Sequence, residues 1–113
     1  MILKKLKWIA TGLSESRLNN ELQIKPSFVY TQSGVNVVFV KDQDEIRAFK
    51  NRCPHQGMSM DGCWVEEGHI VCPVHRFAFD CETGRGAGLY IEKYPIKTEY
   101  GEILLGIEKW TLF

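Results

Sequence analysis

Long apolar runs are missing from this sequence, and none approaches the roughly 20 residues a membrane-spanning helix needs. The opening stretch, Met1-Ile2-Leu3-Lys4-Lys5-Leu6-Lys7-Trp8-Ile9-Ala10, has lysines but no extended apolar segment behind them. It is therefore not read as a secretory leader. An excess of either charge is also missing, because fourteen Lys and Arg balance fourteen Asp and Glu. A neutral chain gives no reason to expect nucleic acid as a partner. Internal repeats, low-complexity segments and a G-x-G-x-x-G nucleotide fingerprint are absent too. A cytoplasmic protein is the resulting expectation.

What remains is an ordinary globular composition, 113 residues with 44% hydrophobic and 25% charged. That length predicts one domain, residues 1–113, with a modest core and little left for a separate catalytic unit. The charge is uneven along the chain. Residues 1–52 hold nine basic and five acidic side chains, and residues 53–113 hold five and nine.

Most of the chain reads as short strands. Val35-Asn36-Val37-Val38-Phe39-Val40 is rich in β-branched and aromatic residues. A turn at Asp42-Gln43-Asp44 leads to Ile46-Arg47-Ala48-Phe49, so this pair reads as a hairpin. Phe28-Val29-Tyr30-Thr31 precedes it as a further strand. Tyr94 to Tyr100, a turn at Gly101-Glu102 and Ile103 to Ile107 give another hairpin, with Pro95 at an edge or near a strand start. One short polar helix is predicted over Ser14 to Leu22. The fold class is all-β, an antiparallel β-sandwich. Residues 51–88 break the strand rhythm. They contain all four cysteines, all three histidines and six of the ten glycines, and read as a site-bearing insertion.

Within it, Cys53-Pro54-His55 and Cys72-Pro73-Val74-His75 each place a thiol and an imidazole on one loop, with sixteen residues between His55 and Cys72. Pro54 and Pro73 fix φ and remove a backbone donor, which stiffens both loops. Two facing loops of this kind supply two sulfur and two nitrogen ligands. Without an export signal, metal binding is preferred over a disulfide framework. Mononuclear zinc uses the same donors, although structural zinc commonly groups cysteines with cysteines and histidines with histidines.

The spacing C-x-H, sixteen residues, C-x-x-H resembles the Rieske motif. Phe79-Asp80-Cys81-Glu82-Thr83-Gly84 resembles the F-D-x-x-T-G run of that family, and Ala48-Phe49-Lys50-Asn51-Arg52 leads into the first loop in a similar way. The resemblance extends from Trp8 to about Ile107 and is strongest to Rieske ferredoxins. It implies a Rieske-type sandwich with an inserted cluster-binding subdomain and one 2Fe–2S cluster as cofactor. It also implies that Cys53 and Cys72 bind an inner iron, and His55 and His75 an outer one. Two ferric ions, two sulfides, two thiolates and two neutral imidazoles sum to zero charge. A four-thiolate cluster is two units more negative, so histidine ligation raises the potential.

The chain departs from the Rieske proteins of cytochrome complexes. Met58 and Val74 stand where those proteins have a second, disulfide-forming cysteine pair. Phe77 and Phe79 stand where they have a serine and a tyrosine that donate to cluster sulfurs. Both changes imply the low-potential branch. Arg76 replaces a common glycine and reads as a solvent-facing cation, while Gln56 replaces a commonly apolar residue and implies a more exposed cluster. His69 reads as a strand residue, and Cys63 and Cys81 as small apolar fillers. Asp61, Glu66, Glu67, Asp80 and Glu82 make the segment acidic, either as solvated surface or to steer a basic partner.

The implied function is a one-electron carrier without a catalytic site of its own, passing electrons from a reductase to an oxygenase or other redox enzyme. The alternatives are a small subunit of a larger redox enzyme, or an iron–sulfur redox sensor.

Overall fold

The computed structural model describes the backbone of residues 2–32 and 34–112, and the side chains of residues 5–32 and 34–108. Three antiparallel sheets and a short ribbon make up the chain. The central sheet has the order β10-β4-β3-β2, built from β2 (Phe28–Gln32), β3 (Val35–Asp42), β4 (Glu45–Lys50) and β10 (Lys93–Tyr94). One outer sheet has the order β1-β12-β11, from β1 (Ile2–Ser14), β11 (Ile96–Glu99) and β12 (Glu102–Leu112). A three-stranded sheet of β5 (Trp64–Glu66), β6 (His69–Val71) and β7 (Ala78–Asp80) lies in the insertion. The ribbon β8 (Arg85–Gly86) and β9 (Leu89–Tyr90) follows it.

Strand β3 explains the layering. Side chains alternate across a strand, and both faces of β3 are buried. Val37 and Phe39 join Leu13, Leu18, Ala48, Ile103 and Leu105 in the core shared with the β1-β12-β11 sheet. Val38 and Val40 face the other way, into a second core with Phe49, Cys53, Met60, Ile70, Cys72, Phe79 and Ile91. The same sheet thus backs the sandwich and floors the insertion, which leaves β3 as a continuous apolar run.

The helix α1 spans Glu15–Ile24, two residues beyond its predicted end. Ser14 caps it, accepting the Arg17 N–H at 3.1 Å, and Leu18 is its buried anchor. The hairpins at 28–50 and 94–107 form as predicted, although the second turns at Tyr100-Gly101. β12 then runs on to Leu112 and pairs with β1 from Ile2↔Leu112 to Ala10↔Leu104. That long pair was not foreseen, because the Lys4-Lys5-Leu6-Lys7 stretch does not alternate cleanly. Pro95 lies just before the edge strand β11, where its carbonyl accepts Gly106 N–H at 2.8 Å.

Arg47 of β4 fastens the base of the insertion to the central sheet. It pairs with Glu82, and with Glu45 at 3.4 Å and Asp42 at 3.8 Å. Among the described residues, no helix is long and apolar enough to cross a membrane.

Candidate metal centre

Cys53-Pro54-His55-Gln56-Gly57-Met58 and Cys72-Pro73-Val74-His75-Arg76-Phe77 are two copies of one backbone loop. In each, the cysteine N–H donates to the carbonyl five residues ahead, Met58 at 2.7 Å and Phe77 at 2.9 Å. The cysteine carbonyl accepts from the N–H four residues ahead, Gly57 at 2.7 Å and Arg76 at 3.0 Å. The fifth position is left-handed in both, with φ of 71° at Gly57 and 60° at Arg76. Glycine takes that conformation freely, whereas a side chain there costs on the order of 1 kcal/mol. At Gly57 an added Cβ would sit 2.9 Å from the end of the flexible, exposed Arg52 side chain, which can move aside, so the glycine there answers to the backbone and not to space.

Histidine occupies the third position of the first loop and the fourth of the second. The two rings still meet, 5.4 Å apart between centroids and inclined at 74°. Burial separates the two donor types. Cys53 is 2% exposed and Cys72 1%, while His55 and His75 are exposed. Burial raises the Cys53 pKa, the His55 amide lowers it by donating toward the sulfur, and the Cys72 thiol raises it again. The Cys53 thiol of the free site therefore holds its proton more firmly, and a bound metal displaces it.

This donor set fits a binuclear cluster better than one ion. The two thiols are buried and the two imidazoles exposed, so the donors form two layers. Tetrahedral zinc needs four donors around one point. A binuclear cluster would be held by the Cys53 and Cys72 thiolates below and the His55 and His75 imidazoles at the surface.

Neighbouring residues fix both loops. Asn51 donates through Nδ2 to Asn36 Oδ1 at 3.0 Å, while its own Oδ1 accepts Met60 N–H at 2.7 Å. It thereby ties both ends of the first loop to β3. Asp80 Oδ1 accepts the N–H groups of Glu82 at 2.7 Å and Thr83 at 3.1 Å. Those amides hold its carboxyl below the ordinary range. The Asp80 carbonyl accepts Gly84 N–H, and Thr83 Oγ1 accepts Arg85 N–H. The run from Asp80 to Gly84 is thus a self-bonded turn that sends β8 back under β7. At Gly86 a Cβ would lie 2.0 Å from the Ala78 carbonyl oxygen, so only glycine fits.

The other singled-out residues are placed as follows. Phe77 packs on His55, and Phe79 is fully buried among both cysteines. Cys63 and Cys81 are free, buried thiols, with pKa values pushed by burial to about 12 and about 11. His69 opens β6, with Nδ1 2.9 Å from the Glu67 carbonyl oxygen. Met58, Val74, Gln56 and Arg76 are exposed. Of the acidic residues, Glu66, Glu67, Asp80 and Glu82 lie at strand ends remote from the loops, because β6 runs into Cys72 and β7 leaves from Phe77. Asn51 and Thr83 were not singled out for these roles. Their signal, a polar residue beside a loop, is shared with any turn.

A centre of this kind belongs to iron–sulfur proteins. Comparison with known proteins is more specific. The model of the Rieske [2Fe-2S] domain matches residues 14–95. The ferredoxin component of an alkene monooxygenase system from Xanthobacter autotrophicus is 34% identical over 76 residues, covering 64% of this chain and 62% of that protein. The chain thus spans somewhat less than two thirds of that relative. The ferredoxin component of a naphthalene 1,2-dioxygenase system from Pseudomonas putida is 28% identical over 107 residues, covering 90% and 97%. The solved ferredoxin of carbazole 1,9a-dioxygenase from Nocardioides aromaticivorans shares the fold, with a TM-score of 0.67 at 23% identity, over 88% of this chain and 96% of that one. The chain belongs to the Rieske [2Fe-2S] family, and its cofactor is one 2Fe–2S cluster of that type.

Proposed function

We propose that this protein is a one-electron carrier of the Rieske ferredoxin type, passing electrons from a reductase to an oxygenase or related redox enzyme. The observation that supports it is the arrangement of two matched loops, with thiols buried below and imidazoles exposed above. The cluster, when bound, takes up and releases a single electron. Cys53 and Cys72 would hold the inner iron as thiolates, and His55 and His75 would hold the outer iron. The His55 amide donates toward the Cys53 sulfur and stabilises its negative charge. Both prolines and the paired loop hydrogen bonds keep the ligands still while charge changes. The exposed imidazoles give the electron a short path to a docked partner.

The chain is read as one domain, 1–113, with its cluster-binding subdomain over about 51–88. It carries no catalytic site of its own in this reading and works in the cytoplasm. Relatives named as ferredoxin components of monooxygenase and dioxygenase systems support the carrier over the sensor.

The experiment is protein-film voltammetry beside iron analysis, on the wild type and on His75→Ala. The wild type should give one reversible one-electron wave near the low end of the Rieske range, about −150 mV. His75→Ala should lose most of its iron and its visible absorbance. A wave near about +300 mV, or a His75→Ala protein with an unchanged cluster, contradicts the reading.

A further inference from the structure

The surface around the exposed imidazoles has a composition of its own. Met58 and Val74 stand out at 46% and 44% exposure, one on each ligand loop. Pro54, Pro73 and Phe77 are half-buried beside them. Large apolar side chains grouped on a surface mark interaction sites. The same two loops carry Arg52 and Arg76. The Arg52 guanidinium lies over Gly57 of the first loop, and Arg76 occupies the matching position of the second. Both are exposed.

The acidic residues of the insertion do not offset this pair. Glu66 and Glu67 close the β5–β6 hairpin, and Asp80 ends β7 with Glu82 just beyond it at the same end. Glu82 is engaged with Arg47, and Asp80 with backbone amides. Lys50, two residues before Arg52, is paired with Glu92 at 3.8 Å. The acidic side chains bordering the loops are Asp61, beside Gly62, whose added Cβ would meet Pro73 at 4.0 Å, and Glu92 and Glu108, which line one cleft with Lys50, Arg52, Pro54 and Lys93. The oxidised cluster would add no net charge and the reduced cluster one negative charge, so residues 52–58 and 72–77, with two arginines and no carboxylate, keep the electron-exit face cationic in both states although the chain as a whole is neutral.

We infer that this face docks a redox protein presenting an apolar patch flanked by carboxylates, which pair with Arg52 and Arg76 while Met58 and Val74 fill the centre. The inference rests on the carrier reading and adds the partner's chemistry to it. It reverses the expectation from composition alone, in which an acidic segment steers a basic partner. Guanidinium groups suit carboxylates because they can bind them in a bidentate way. Complementary charge chiefly accelerates encounter, and salt screens it.

The test uses two small oxidants of opposite charge in place of the partner. Chemically reduced holoprotein is mixed with hexacyanoferrate(III) or hexaammineruthenium(III), and the return of the oxidised cluster's visible absorbance is followed by stopped flow. One electron leaves the protein in each case, giving hexacyanoferrate(II) or hexaammineruthenium(II). With the wild type, the anionic oxidant should slow as salt rises and the cationic one should quicken. Arg52→Glu with Arg76→Glu should slow the anionic reaction about tenfold at low ionic strength and reverse both salt trends. Arg76→Gly removes one charge where the backbone favours glycine, so it should give an intermediate rate with an unchanged cluster spectrum. Equal salt trends for both oxidants in the wild type, or rates unmoved by the double substitution, overturn the inference and leave the carrier reading intact. A protein without a visible cluster that takes up one electron fails the carrier reading itself.

Discussion

The Phe77 ring of the second ligand loop lies 4.1 Å, centroid to centroid, from the His55 imidazole of the first, tilted by 41°. The contact joins the two loops directly, since the chain between them passes through two strands before returning. Phe77 is also 6.3 Å from His75. An apolar ring therefore braces both imidazoles. Such an aromatic pair contributes about 0.5–1.5 kcal/mol beyond its burial. Phe77→Leu should accordingly raise the rate of cluster loss to a strong iron chelator about two- to tenfold. The decay of visible absorbance measures this, and an unchanged decay would show that His55 is held without the ring.

Phe79 is the mildest place to restore a sulfur hydrogen bond. It is fully buried in the core that contains Cys53 and Cys72, and Phe79→Tyr adds one oxygen to an existing ring. A donor to sulfur strengthens when the cluster gains an electron, so the reduced state is favoured. A hydrogen bond to a charged acceptor contributes roughly 1.5–3 kcal/mol, and only the difference between oxidation states reaches the potential. The midpoint should rise by some tens of millivolts in voltammetry. An unmoved midpoint would mean that the ring edge points away from the cluster sulfurs.

The sequence made the site legible and the scaffold only partly so. Cys53, His55, Cys72 and His75 stand out because two rare residue types recur at fixed spacing on loops that proline stiffens. The β3 and β4 strands were legible through their β-branched and aromatic runs. β1 was not, because Lys4, Lys5 and Lys7 blur the alternation of an outer strand whose stability comes from its partner β12. The matched backbone of the two loops was equally hidden. Cys53-x-His55 and Cys72-x-x-His75 look different as text, yet Gly57 and Arg76 fill the same left-handed position. A hydrogen-bond pattern that repeats over unlike residues leaves no signal in residue identity.

Cys63 and Cys81 should behave as inert core thiols. Burial raises their pKa values to about 12 and about 11, far above the ordinary thiol. A raised pKa keeps the neutral thiol dominant until pH approaches those values, so the reactive thiolate stays scarce at neutral and mildly alkaline pH. Alkylation by iodoacetamide in the folded holoprotein should remain negligible from pH 7 to pH 9, read by mass spectrometry after digestion. Ready labelling of either residue at pH 7 that levels off as pH approaches 9, as for an ordinary thiol, would mean that its site opens to solvent.

The central claim is that two imidazoles bind the reducible iron of a 2Fe–2S cluster at the surface of this chain. Pulsed electron paramagnetic resonance of the reduced holoprotein tests it most directly, because nitrogen nuclei bound to the iron modulate the electron-spin echo. The account predicts a reduced 2Fe–2S signal with strong couplings to two histidine nitrogens. A paramagnetically silent protein that holds zinc, or a 2Fe–2S signal without nitrogen coupling, would contradict it.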